Sequence, residues 1–148
     1  MPANPVTSAA LAVAVIGALS LAGCAPAPVT ATDIAAGAHP GPLAVEVDDD
    51  SVQVVFREIV IQPGAGTGRH CHHGQLIAVV RQGELTHYAP IYPGGVHVYQ
   101  EGDAVVEGEG YIHEGVNEGT EPMILDVTYI IEAGQPLAET DLARCDPE

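Results

Sequence analysis

The chain is predicted to fold as an all-β barrel or sandwich. Three observations carry that prediction: short Val- and Ile-rich segments recur at regular spacing, glycine and proline punctuate them, and no segment demands a helix. With 17 Gly and 12 Pro in 148 residues, turns are chemically well supplied. Ala44–Asp48 and Ser51–Ile61 read as strands parted by the acidic turn Asp48-Asp49-Asp50. Pro63–Gly68 is a loop, and Leu76–Val80 is a continuous apolar run ending in the tight turn Gln82-Gly83. Glu84–Ala89 follows, then the turn Pro93-Gly94-Gly95, then strands at Val96–Gln100, Asp103–Glu107, Tyr111–His113 and Met123–Ile131. One helical turn is expected at most, within Leu137–Ala143.

The N-terminus is of a different character. Ala9–Ala22 is an apolar stretch of fourteen residues, short for a membrane span and suited to a signal peptide. It ends in Leu21-Ala22-Gly23-Cys24, which resembles the lipobox of bacterial lipoproteins. That resemblance implies cleavage before Cys24 and lipidation of its thiol, with the domain anchored at the cell envelope. A plain signal peptide and a secreted protein is the alternative. Residues 24–43 are rich in Ala, Pro, Thr and Gly and read as a flexible tether, in which His39 is solvated. Residues 44–133 form the barrel and 134–148 a C-terminal tail.

Charge narrows the list of partners. Twenty acidic residues face four basic ones (Arg57, Arg69, Arg81 and Arg144), giving a formal net charge of −16. Nucleic-acid phosphates demand Lys and Arg, so that function is excluded. Docking on anionic lipid through a charged face is excluded likewise, which leaves only a lipid anchor as a link to membrane.

Two short patterns carry chemistry. The first runs Gly64, five residues, His70-Cys71-His72, then ten residues to Gly83. The second runs Gly102, Gly108-Glu109-Gly110, two residues to His113 and three to Asn117. Alternate residues of a strand share a face, so His70 and His72 project together while Cys71 points away. The pair of patterns resembles the cupin family, whose motifs are G(X)5HXH(X)3-4E(X)6G and G(X)5PXG(X)2H(X)3N. The resemblance covers about residues 50–132 and implies a small antiparallel double-stranded β-helix, or jelly roll, with the metal in its mouth. It implies His70, His72 and His113 as ligands of one divalent transition metal (Fe, Mn, Zn, Ni or Cu), which imidazole suits better than Ca or Mg. It also implies homodimerisation through edge strands.

The chain departs from the pattern where the family has a glutamate, because that position falls on Leu76. Gln75 or His73 is a possible substitute donor, though strand parity turns both the other way unless a bulge intervenes. Without a substitute, three neutral ligands leave open positions and a more positive metal, which favours a small anionic ligand.

Cys71 and Cys145 form an even pair once Cys24 carries lipid, so a disulfide between them is expected in an oxidising compartment. A buried free Cys71 beside an exposed Cys145 is the alternative, and a role for Cys71 as ligand or nucleophile is a third. His87 and His97 flank the Tyr92–Gly95 turn and are assigned to the surface or the barrel edge, with a face-to-face pairing of the two as the alternative. Tyr88, Tyr99 and Tyr111 either pack or line the cavity. Arg57 and Arg81 either bind a substrate carboxylate or form structural salt bridges.

Taken together, these residues describe an exported metal-binding barrel with room for a small-molecule ligand. A metal-dependent enzyme of the dioxygenase or isomerase class is the alternative, and a barrel without metal comes third. No residue pattern identifies a catalytic acid, base or nucleophile.

Overall fold

A computed structural model describes residue 29, residues 31–47 and residues 50–147. The signal segment, the lipobox with Cys24, and Asp48-Asp49 lie outside the described residues. Among the described residues there are seven strands: β1 (Val52–Ile61), β2 (Gly74–Gln82), β3 (Glu84–Tyr88), β4 (Val96–Gln100), β5 (Ala104–Glu107), β6 (Glu114–Val116) and β7 (Met123–Glu132). They form two antiparallel sheets, one ordered β1-β7-β2-β5 and the other β4-β3-β6. The short turn expected near the C-terminus is a 3-10 helix at Leu142–Arg144.

Period-two alternation explains which side chains meet. In β7, Met123, Leu125, Val127, Tyr129 and Ile131 are buried while the residues between them are partly exposed. In β2 the continuous apolar run resolves in the same way: Leu76, Ala78 and Val80 face inwards, and Ile77 and Val79 face outwards. Leu85, Tyr99 and Val105 complete the core from β3, β4 and β5. Burying each of these large side chains contributes about 1.5–3 kcal/mol relative to leaving it in water.

Three expectations need correction. The residues 44–47 are irregular rather than a strand, and Tyr111–His113 precedes its strand instead of forming it. The tether is not free along its whole length. Ala38 bridges Asp103, with Ala38 N–H donating to Gly102 O (2.9 Å) and Ala104 N–H to Ala38 O (2.8 Å). Gly37 lies against the outward Val79, so close that a Cβ there would meet its methyls at 3.0 and 3.1 Å. An apolar outer residue is thereby covered, and a small residue is what lets the chain cover it. His39 is exposed, as expected.

The C-terminal tail is also fixed. Glu139 bridges Cys71 in both directions (N–H to O distances of 2.9 and 3.1 Å), and a disulfide joins Cys71 to Cys145 with Cα atoms 5.9 Å apart. Where β2 begins, Gly74 has φ +134, and a Cβ would fall 2.5 Å from Ile130 O. No other residue fits there, which lets β2 pair closely with β7 directly after the histidine segment.

Candidate metal centre

His70 and His72 lie in an extended segment just before β2. Their backbone is set by bridges rather than by a sheet. His70 N–H donates to His113 O at 3.0 Å and His113 N–H returns to His70 O at 2.9 Å. That bridge carries the third histidine of the signature to the first. Extended geometry then places the rings of His70 and His72 on one side and the Cys71 thiol on the other. The ring centroids of the three lie 4.4–4.9 Å from one another, and all three residues are buried.

A carboxylate joins them. Glu107, at the end of β5, places Oε2 3.0 Å from His72 Nε2 and 3.1 Å from His113 Nε2, while these two nitrogens lie 3.2 Å apart. One ligand atom from each of His70, His72, Glu107 and His113 falls within 4.8 Å of all the others. Donors about 2.1 Å from one ion and at right angles about it stand about 3.0 Å apart, so the separations among His72, His113 and Glu107 match a shared metal, with His70 beside them.

The rings are oriented by the backbone. His70 Nδ1 pairs with Gly68 O (2.8 Å), His72 Nδ1 with Leu137 O (2.7 Å) and His113 Nδ1 with Tyr111 O (3.1 Å). A carbonyl only accepts, so each Nδ1 carries the proton and each Nε2 of the neutral ring is a bare lone pair. In the neutral cluster, Nε2 of His72, Nε2 of His113 and Oε2 of Glu107 are therefore three acceptors at mutual contact. Acceptors so arranged repel one another unless a proton or a metal lies between them.

Electrostatics follow from the same arrangement. Burial, chiefly, lowers the His70 pKa to about 4, against a partial offset from Gly68, so this ring is neutral at pH 7. Burial opposes the charge on Glu107, but the imidazoles of His113, His72 and His87 beside it hold its carboxyl well below the usual carboxylate range. Burial also opposes charge on His113, and its hydrogen bond to Glu107 overrides this, raising its pKa above the ordinary histidine value. His70, His72 and Glu107 form one wall of a cavity of about 40 Å³, whose remaining walls are largely apolar, including Leu76, Leu85, Leu125 and Val127. A water occupies roughly 10–15 Å³ by the same measure, so this is room for a ligand of a few heavy atoms.

The structure revises the sequence reading at the fourth ligand. Gln75 is not in the cluster: its Oε1 accepts from Glu46 N–H at 3.2 Å, on the outer side of β2. His73 points the same way and sits 3.5 Å from Glu139 Oε2. No bulge brings either inwards, since the register shift in β2 lies between Val80 and Gln82. The carboxylate comes instead from the neighbouring strand, because Leu76 and Glu107 are direct partners in the β2/β5 ladder. The missing glutamate has its counterpart across the ladder. The legible signal was Glu107 itself, which shares the inward parity of Val105 in an otherwise apolar strand. A bound divalent ion would therefore face one negative ligand, so the extra positive charge expected of a three-histidine set does not follow.

Other assignments divide. Cys71 is in a disulfide and is 1% exposed, so it supplies neither ligand nor nucleophile. His97 is exposed and meets Tyr99 edge to face with centroids 4.4 Å apart. His87 is fully buried, contrary to the surface assignment. Arg81 pairs with Glu58 and with Asp126 (2.6 Å), a structural role, and the Arg57 guanidinium lies 5.9 Å over the Tyr129 ring. Tyr99 packs in the core and Tyr88 is exposed, its hydroxyl donating to Glu118 at 2.6 Å. Asn117, the last residue of the second pattern, is a loop tie: its amide donates to Ile61 O (2.8 Å) and Glu121 O (2.9 Å) and accepts from Gly119 N–H (3.0 Å).

A search of the curated proteins found no match. Among solved structures, an uncharacterised conserved protein with a double-stranded β-helix domain from Klebsiella pneumoniae is 24% identical, with 77% of this chain and 99% of that one covered and a TM-score of 0.49. The DMSP lyase DddQ from Ruegeria pomeroyi is 17% identical with a TM-score of 0.50, and the match spans 56% of this chain but only 41% of the lyase. A predicted oxalate decarboxylase from Thermotoga maritima is 24% identical, with a TM-score of 0.46 and coverage of 53% and 65%. At these identities the likeness concerns the fold. A family model described as Cupin domain matches residues 57–134, more than half of the chain, and the protein belongs to that family.

Proposed function

We propose that this protein is an exported cupin-domain metal binder that holds one divalent transition metal through His70, His72, His113 and Glu107. The observation that carries the reading is the mutual contact of buried acceptors at 3.0–3.2 Å, an arrangement that a shared divalent cation relieves at all three atoms at once. The metal, when bound, supplies a positive centre that polarises a small ligand entering through an open position. The chain's own residues do the rest. The backbone carbonyls of Gly68, Leu137 and Tyr111 hold the three rings with Nε2 inwards, and the apolar walls keep bulk water from the cluster. The ligand that fits is small, with one metal-binding group and a short apolar body, since no Arg is among the cavity-lining residues.

Location at the cell envelope through lipid on Cys24 is part of the same reading. Its support is the apolar run ending in Leu21-Ala22-Gly23-Cys24, together with a disulfide of the kind that persists outside the reducing cytosol. The test is metal analysis of protein taken from its host, beside His70→Ala, His72→Ala and His113→Ala. Stoichiometric metal in the native chain and its loss in each variant is the expected result. Native protein without metal, and variants that behave identically, would remove the proposal. Turnover of small acids or thiols by the loaded protein would replace binding by catalysis. Mass spectrometry of membrane-derived protein checks Cys24, where an unmodified soluble N-terminus would end the anchor.

A further inference from the structure

We infer that His87 is a positioning residue for the metal centre, holding Glu107 so that only one carboxylate oxygen faces the three ligand histidines. The inference rests on the metal reading above. Glu107 has two oxygens and the structure divides their tasks. Oε2 meets His72 and His113, whereas Oε1 lies 3.1 Å from His87 Nε2. His87 is fully buried, on β3, and comes from neither sequence pattern. The contact is off-axis, and Nε2 has no aligned hydrogen-bond partner. A buried ring N–H in that state is costly, so the anionic oxygen beside it is where it is drawn.

The far side of the ring is fixed as well. His87 Nδ1 lies 2.7 Å from the Tyr92 hydroxyl, which lies 3.0 Å from the Tyr99 hydroxyl. Burial and the bond to Tyr99 push the Tyr92 pKa up, so the group stays protonated and donates. The directions then follow from the carboxylate, which only accepts. In the neutral ring, His87 carries its proton on Nε2 towards Glu107, Nδ1 accepts from Tyr92, and Tyr99 donates to Tyr92. Two residues of the second sheet, His87 and Tyr99, and one from its β3–β4 turn, Tyr92, thus orient one ligand of the first. Partners of this kind behind a ligand typically change metal affinity by about 10–100-fold when removed.

The test uses the full chain loaded with Co(II) and titrated against a chromophoric chelator, with the visible spectrum recorded alongside. His87→Leu is expected to weaken Co(II) about 10–100-fold and to shift the spectrum. His87→Gln, whose amide N–H replaces Nε2–H, should restore most of both. His39→Ala, exposed and remote from the cluster, should change neither. A role in packing alone predicts a lower melting temperature of the metal-free protein with affinity and spectrum unchanged, and that result would overturn the inference. Should His87→Leu not fold, Tyr92→Phe removes only the hydroxyl behind the ring, and a severalfold weaker Co(II) site is expected; wild-type affinity there would overturn it equally. Failure of the wild-type chain to bind any metal is a separate outcome, which removes the metal reading itself.

Discussion

Breaking the Cys71–Cys145 disulfide tests how far the C-terminal tail holds the site together. The bond closes a loop of sequence separation 74. In the chain-entropy account, freeing such a loop in the unfolded state costs about 4 kcal/mol at 25 °C. For a unit of this size, 1 kcal/mol shifts the melting temperature by roughly 4 °C, so Cys145→Ser should melt roughly 15 °C lower than the wild type. The effect reaches the metal site through two contacts. Leu137 O, on the tail, fixes His72 Nδ1, and Glu139 pairs with the backbone of Cys71 between His70 and His72. Loosening the tail should therefore also weaken metal binding, by about tenfold if Leu137 behaves as an ordinary outer-sphere partner. The assay is thermal melting by circular dichroism with and without a dithiol reductant, thiol titration to confirm reduction, and chelator competition on the same samples. A shift below about 3 °C with both thiols titrating would refute the entropic argument. Unchanged metal affinity would show that the tail does not hold His72.

Further outcomes follow from other parts of the site. Glu107→Leu should lower metal affinity more than 100-fold (about 3 kcal/mol), and the double change Leu76→Glu/Glu107→Leu should recover much of it by moving the carboxylate across one ladder pair; chelator competition on the three proteins decides. Metal binding should release a proton from His113, whose pKa is raised above 6.5, and none from His70, neutral above about pH 4. Affinity should accordingly fall as pH drops below the His113 value, which calorimetry in buffers of different ionisation enthalpy would measure. In the metal-free chain the sign for His70 is the usual one for a depressed group: its contribution to stability is present above about pH 6.5 and declines as pH falls towards about 4. Gly74→Ala should destabilise by at least about 3 kcal/mol, since a Cβ would lie 2.5 Å from Ile130 O at a positive φ, and urea melts would show it.

Much of this protein was legible without coordinates. Period-two alternation in Met123–Ile131 and the glycine and proline turns give the strands, because side-chain direction in a strand depends only on local backbone geometry. The spacing of His70 and His72 gives a shared face for the same reason, and His113 enters through the second pattern. What local rules cannot supply is register between strands distant in sequence. Glu107 stands opposite Leu76 only because β5 pairs with β2 in that register, and His87 reaches Glu107 only because the two sheets face each other. The flexible reading of residues 24–43 likewise rested on composition, which says nothing of bridges such as Ala38 to Asp103. Sequence determined the fold and named the three histidines; tertiary pairing decided which carboxylate stands beside them and which groups orient it.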